Sequence, residues 1–144
     1  MIFSALTFLL SLFPFVTSAA ESDHLFCGKH FLASYQDCDL DALGDVEGVV
    51  RALDDAVRAS GATILDSCSY VFKPNGLTRV YLLSESHASI HTYPEHGSCF
   101  VDLFTCGDNC SSDRFDQILR AYLQPGTVNS RLLLRHTETE ELVR

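Results

Sequence analysis

A chain of 144 residues, 47% of them hydrophobic, has the size and apolar content of one domain with its own packed core. Its formal charge of -9 and pI near 4.9 leave no Lys/Arg cluster to release counterions from phosphates, which excludes a nucleic-acid binder. With 20% charged residues and aromatics throughout, the composition is not that of a disordered chain.

The first twenty residues, MIFSALTFLLSLFPFVTSAA, carry no charge, run apolar from Ile2 to Val16 and end in the small residues Thr17, Ser18, Ala19 and Ala20. Residues 1–20 read as a secretory leader, with a retained membrane anchor or a mis-assigned start as the alternatives. Pro14 and the shortness of the run count against a span of about 20 residues, so membrane attachment follows only if the leader is uncleaved. The folded domain is expected over 21–144.

Within that domain, His30 to Tyr35 (HFLASY) predicts a first strand. Val46, Val49, Val50, Leu53 and Val57 recur at helical spacing, with Asp45 to cap the start and Gly61 to end the helix. Ala62 to Phe72 and Leu77 to Leu83 are β-rich runs around the turn Pro74-Asn75-Gly76, and predict a hairpin. Ser84 to Gly97 (SESHASIHTYPEHG) follows as a polar connection between central strands. Cys99 to Thr105 is another apolar strand. A second helix starts near Ser112, with Phe115, Ile118, Leu119, Tyr122 and Leu123 on one face and Pro125-Gly126 behind it. Thr127 to Arg135 completes the order as a last strand. The expected fold is α+β, a two-layer sandwich of a mostly antiparallel sheet with two helices on one face.

Six cysteines, Cys27, Cys38, Cys68, Cys99, Cys106 and Cys110, suit disulfides in an exported protein and buried or reactive thiols in a reducing compartment. The spacing leaves the pairing open. No CxxC pair occurs, and Cys106 to Cys110 is a single CxxxC, so no metal site is expected.

Ser84 to Gly97 crowds hydroxyls, imidazoles and carboxylates between apolar runs, at a place suited to a strained turn. There the Ser86 hydroxyl can attack the carbonyl of Glu85 and turn the peptide into an ester. A base that removes the Ser86 α-proton then expels that ester. The chain breaks between 85 and 86, and the former serine hydrolyses to a pyruvoyl group at a new amino terminus. A nearby hydroxyl or imidazole is needed to stabilise the oxyanion of the acyl shift.

Glu85-Ser86-His87-Ala88-Ser89-Ile90-His91-Thr92-Tyr93-Pro94-Glu95 and Val101-Asp102-Leu103-Phe104-Thr105-Cys106-Gly107-Asp108 resemble the hallmark segments of the S-adenosylmethionine decarboxylase proenzymes, short bacterial and archaeal form. Gly28-Lys29-His30, Cys38-Asp39 and Phe72-Lys73-Pro74-Asn75-Gly76 extend the resemblance over nearly the whole mature chain. It implies self-cleavage between 85 and 86 into amino-terminal (beta) and carboxy-terminal (alpha) chains, with Ser86 the precursor of a covalent pyruvoyl cofactor. His91 would be the processing base, Thr78 the hydroxyl assisting the acyl shift, and Cys106 the acid that protonates the product carbon. The pyruvoyl carbonyl would form a Schiff base with the substrate amine and act as the electron sink for decarboxylation. Glu95 would accept the ribose hydroxyls and Phe72 would stack on adenine; core packing is the competing reading for Phe72, and a Cys106–Cys110 disulfide would disable Cys106. No metal is required, the partner is a small-molecule substrate, and the assembly implied is a homodimer of processed protomers.

Three positions depart from the family pattern. Arg79 replaces a small residue after Thr78 and is expected beside the processing site, His96 replaces an aromatic, and Ser34 replaces a carboxylate. The resemblance implies a cytosolic enzyme, whereas the leader implies export. The first expectation is decarboxylation of S-adenosylmethionine for spermidine and polyamine synthesis. The alternatives are a pyruvoyl-dependent ornithine or arginine decarboxylase on the same scaffold, and a non-enzymatic exported domain.

Overall fold

The computed structural model describes residues 26–106 and 109–136; the predicted leader, and the Gly107-Asp108 end of the second hallmark segment, lie outside the described residues. In chain order the elements are β1 (Cys27–Gln36), α1 (Leu40–Gly44), α2 (Val46–Ser60), β2 (Ile64–Phe72), β3 (Gly76–Leu83), β4 (Ser86–Tyr93), a 3-10 turn at Pro94–His96, β5 (Ser98–Thr105), α3 (Ser112–Leu123) and β6 (Thr127–His136). The strands form one sheet in the order β2-β3-β4-β5-β1-β6, with every neighbouring pair antiparallel. The expected two-layer α+β sandwich is therefore the observed one.

Local chemistry explains the helix limits. The Asp45 carboxylate accepts from the Gly48 amide at 3.0 Å to start α2, and Gly61 ends it in the left-handed region at φ +95°. Ser111 caps α3, and Gln124 closes it at φ +47°. Val49, Leu53, Ala56 and Val57 of α2 and Phe115, Leu119 and Leu123 of α3 are buried against the sheet. Ile118, expected on that face, is 36% exposed and lies at its margin.

The polar stretch after Leu83 is largely a strand, where a loop was expected. Only Ser84 and Glu85 turn, and from Ser86 the residues alternate: Ala88, Ile90 and Thr92 are buried, while His87, Ser89, His91 and Tyr93 face the other way. That period of two is the sheet's own, and it places β4 at the centre.

Two buried tyrosines tie the sheet to the helices. Tyr35 donates to Asp116 of α3 at 2.5 Å, and Asp116 also pairs with Arg120 at 2.6 Å. Tyr81 donates to Asp54 of α2, and Arg79 joins the same group, 2.5 Å from the Tyr81 oxygen and 3.5 Å from Asp54. Burial first, and then the carboxylate partner, pushes both phenols well above their ordinary value. Arg79 consequently points into the helix layer. The expectation that it crowds the processing site is corrected, because neighbours along a strand face opposite sides.

No helix among the described residues covers the second face. There Val80, Leu82, Phe100 and Leu133 are all at least 39% exposed beside the imidazoles of β1 and β4. Among the described residues no helix is long and apolar enough to cross a membrane.

Candidate active site

The geometry at the start of β4 is unusual. Ser86 has φ +148°, a conformation that side chains other than hydrogen rarely adopt, and which costs about 1–3 kcal/mol. The preceding turn is pinned on both sides: the Ser84 amide donates to Thr63 O at 3.0 Å, and the Glu85 carboxylate accepts from the Thr63 amide at 2.9 Å. Burial alone would raise the pKa of Glu85, yet the hydrogen bonds from Ser84 and Thr63 outweigh it and hold the carboxyl below its usual range.

Glu85 O, the carbonyl before Ser86, accepts from the Cys106 amide at 3.0 Å. The Ser86 hydroxyl lies 3.7 Å from the Cys106 thiol, which is exposed. Cys106 thus meets the same peptide twice, through its backbone and through its side chain. Neither Cys106 nor Cys110 is in a disulfide.

Gly28 makes room here. A Cβ at that position would lie 2.4 Å from the Phe104 ring and 3.5 Å from the Cys106 sulfur. His30 and His87 each pack against Phe104 at 5.4 Å between ring centroids, and the Arg135 guanidinium lies 4.5 Å above the same ring. Burial lowers the proton affinity of His30, against an opposing pull from Asp102. This group of His30, His87, Phe104 and Arg135 was not foreseen; the available signal was Gly28-Lys29-His30, where the missing side chain marks a close approach.

A second cluster forms at the far end of β4. Thr78 Oγ1 and His91 Nδ1 are hydrogen-bonded at 2.5 Å across the β3–β4 ladder. The His91 ring lies 4.5 Å from that of Tyr93 and 5.7 Å edge-on from that of Phe72. Phe72 is 43% exposed on the uncovered face, so it is not a core residue. Glu95 is exposed in the 3-10 turn just beyond, and His96 packs against Tyr93 at 6.2 Å. Ser34 lines a separate hollow of about 440 Å³ on the same face, with Phe100, Asp102, Asn129 and Arg131.

These clusters do not meet within one chain. Ser86 is opposite Thr105, and His91 is opposite Phe100. Five residues of strand at about 3.3 Å each set them roughly 16 Å apart. Proximity in sequence suggested that an imidazole or hydroxyl of this stretch stabilises the oxyanion at Glu85; the group that reaches its carbonyl is instead the Cys106 amide.

Comparison with known proteins agrees with the resemblance. The family model described as S-adenosylmethionine decarboxylase matches residues 29–136. An S-adenosylmethionine decarboxylase proenzyme of Methanococcus aeolicus is 41% identical over 98 residues, 68% of this chain and 84% of that one. Its counterpart in Aquifex aeolicus is 39% identical over 114 residues, 79% of this chain and 84% of the relative. The crystal structure of the adenosylmethionine decarboxylase from Aquifex aeolicus superposes with a TM-score of 0.72 at 37% identity, covering 81% of this chain and 97% of that one. The chain belongs to the S-adenosylmethionine decarboxylase family.

Proposed function

We propose that this protein is a proenzyme that cuts itself between Glu85 and Ser86 and then decarboxylates S-adenosylmethionine to S-adenosylmethioninamine, the aminopropyl donor of polyamine synthesis. The observation that carries the proposal is the peptide at 85–86: a strained serine, its hydroxyl beside a thiol, and the preceding carbonyl already polarised by an amide. Attack by Ser86 Oγ moves the acyl group of Glu85 from nitrogen to oxygen, and negative charge develops on Glu85 O, where the Cys106 N–H donates. Cleavage of the C–N bond relieves the backbone strain at Ser86. A base then takes the Ser86 α-proton and the ester C–O bond breaks, leaving Glu85 as a terminal carboxylate; residue 86 takes up water and releases ammonia.

The residues at this position fit the covalent pyruvoyl cofactor that Ser86 would yield. That group supplies a carbonyl that captures the substrate amine and accepts the electron pair left by carbon dioxide. The Cys106 thiol, 3.7 Å from the Ser86 hydroxyl, would supply the proton to the substrate carbon.

The base and the adenosine-binding residues come, on this reading, from a second protomer. The apolar face is isologous with itself, and a two-fold axis between two such faces and across β4 lays the Ser86 end of one strand over the His91 end of the other. Thr78 orients His91 through its ring nitrogen as the processing base. Phe72 and His91 offer ring faces to adenine, and Glu95 offers a carboxylate to the ribose hydroxyls.

Intact mass of the purified protein tests the cut: two chains divided at 85/86, the second with a ketone in place of its serine amine, against one chain for Ser86→Ala. A single uncut wild-type chain would overturn the proposal. Mixed dimers test the shared site. Neither Ser86→Ala nor His91→Ala is cleaved alone, and co-expression restores cleavage to the His91→Ala chain only if the imidazole acts across the interface.

A further inference from the structure

Cys38 and Cys99 are the two cysteine thiols absent from the chemistry above that lie in the core, 6% and 1% exposed, free, and neighbours in one buried cluster. Their backbones are fixed. Cys99 is held in β5 between Tyr35 of β1 and Thr92 of β4. Cys38 follows β1 in a clamped loop: its amide donates to Gly97 O at 2.9 Å, the Asp39 amide to Leu123 O at 2.9 Å, and the Gly126 amide to Asp37 O at 3.0 Å.

We infer that Cys38 and Cys99 form an intramolecular disulfide that ties the two processed chains together, Cys38 lying in the amino-terminal chain and Cys99 in the carboxy-terminal one. The inference rests on the proposed cut for its consequence, but not for the bond itself. An external disulfide such as oxidised glutathione is the oxidant. The Cys38 thiolate attacks it and expels one thiolate; Cys99 then gives up its proton and displaces the second, so that two protein thiols are oxidised and one small disulfide becomes two thiols.

The direction of attack follows from access: Cys38, 6% exposed against 1% for Cys99, is the thiol nearer to solvent. Cys106 is different. It is exposed and 3.7 Å from a serine hydroxyl, so a mixed disulfide formed there has no prearranged second thiol comparable to Cys99, and a glutathione buffer returns it to the thiol. Core oxidation and a working Cys106 are therefore compatible.

The full-length protein is equilibrated with a reduced and oxidised glutathione buffer, denatured, alkylated without reductant, and read by peptide mapping and by electrophoresis. The expected map leaves Cys38 and Cys99 unalkylated and joined in one cross-linked peptide, with the other four cysteines alkylated. The processed protein then migrates as one species without dithiothreitol and as two with it. Cys38→Ser and Cys99→Ser each release both chains without reductant, whereas Cys68→Ser on the exposed surface does not. Alkylation of all six cysteines after oxidation, or a map joining another pair, would overturn the inference. The wild-type map decides it even where a core variant fails to fold. An uncut chain bearing the cross-linked peptide would overturn the processing reading while upholding the disulfide.

Discussion

On the helix-covered face of the sheet, Tyr35, Tyr81 and Ile90 are fully buried and the phenols are matched to carboxylates; one residue away along the same strands, Ser34, Val80 and His91 stand on a face that nothing described covers. The centre of the first face is covered by helices and that of the second is not. Stability and chemistry are thus sorted between alternate residues, so adjacent substitutions should give opposite phenotypes.

The largest stability effect should come from the covered side. Phe115→Ala removes a fully buried ring that packs against Phe31 at 6.1 Å, and should cost about 3–5 kcal/mol in urea unfolding. Tyr81→Phe leaves Asp54 and Arg79 without their shared hydroxyl; a loss of about 1–3 kcal/mol is expected, with cleavage at 85/86 intact by mass. Phe100→Asp, on the uncovered side, should change the stability of the folded protomer by no more than about 0.5 kcal/mol. Its signature should be elution at the protomer mass, together with loss of processing. A wild-type result for Phe100→Asp would mean that the two faces are less different than their exposure implies.

The smallest expected effect is a pH dependence. The proton affinity of His30 is held below its ordinary value of 6.5, mainly by burial, so the fold favours the neutral ring. Above that value His30 contributes no pH dependence; as pH falls through it the unfolded chain binds the proton first, and stability declines until the folded ring also protonates. His30→Gln should flatten that part of a melting-temperature profile.

Much of the first face was legible in the sequence, because it is written in rules of spacing. Asp45 and Gly61 bracket α2, and the β2–β3 hairpin follows from its turn residues. The second face was harder. In β4 the apolar alternation is carried by only Ala88, Ile90 and Thr92, and the intervening histidines and serines mimic a loop. Missing that strand also hid the roughly 16 Å between Ser86 and His91. Arg79 turning away from Thr78 follows instead from the alternation of β3, a strand the sequence does show. The Cys106 amide leaves no trace in side-chain identity. Nor does the contact of Cys38 with Cys99, which the packing of β1 and its loop against β5 creates.

The order of strands bears on what a cut at 85/86 would do. The segment before it supplies β1, β2 and β3, the segment after it supplies β4, β5 and β6, and β1 lies between β5 and β6. Separation of the fragments therefore requires breaking a ladder on each side of β1. Before cleavage, refolding is first order. Afterwards, with the Cys38–Cys99 link reduced, two polypeptides must find each other, so the rate should scale with concentration, and a dilute reduced sample unfolded once should not return.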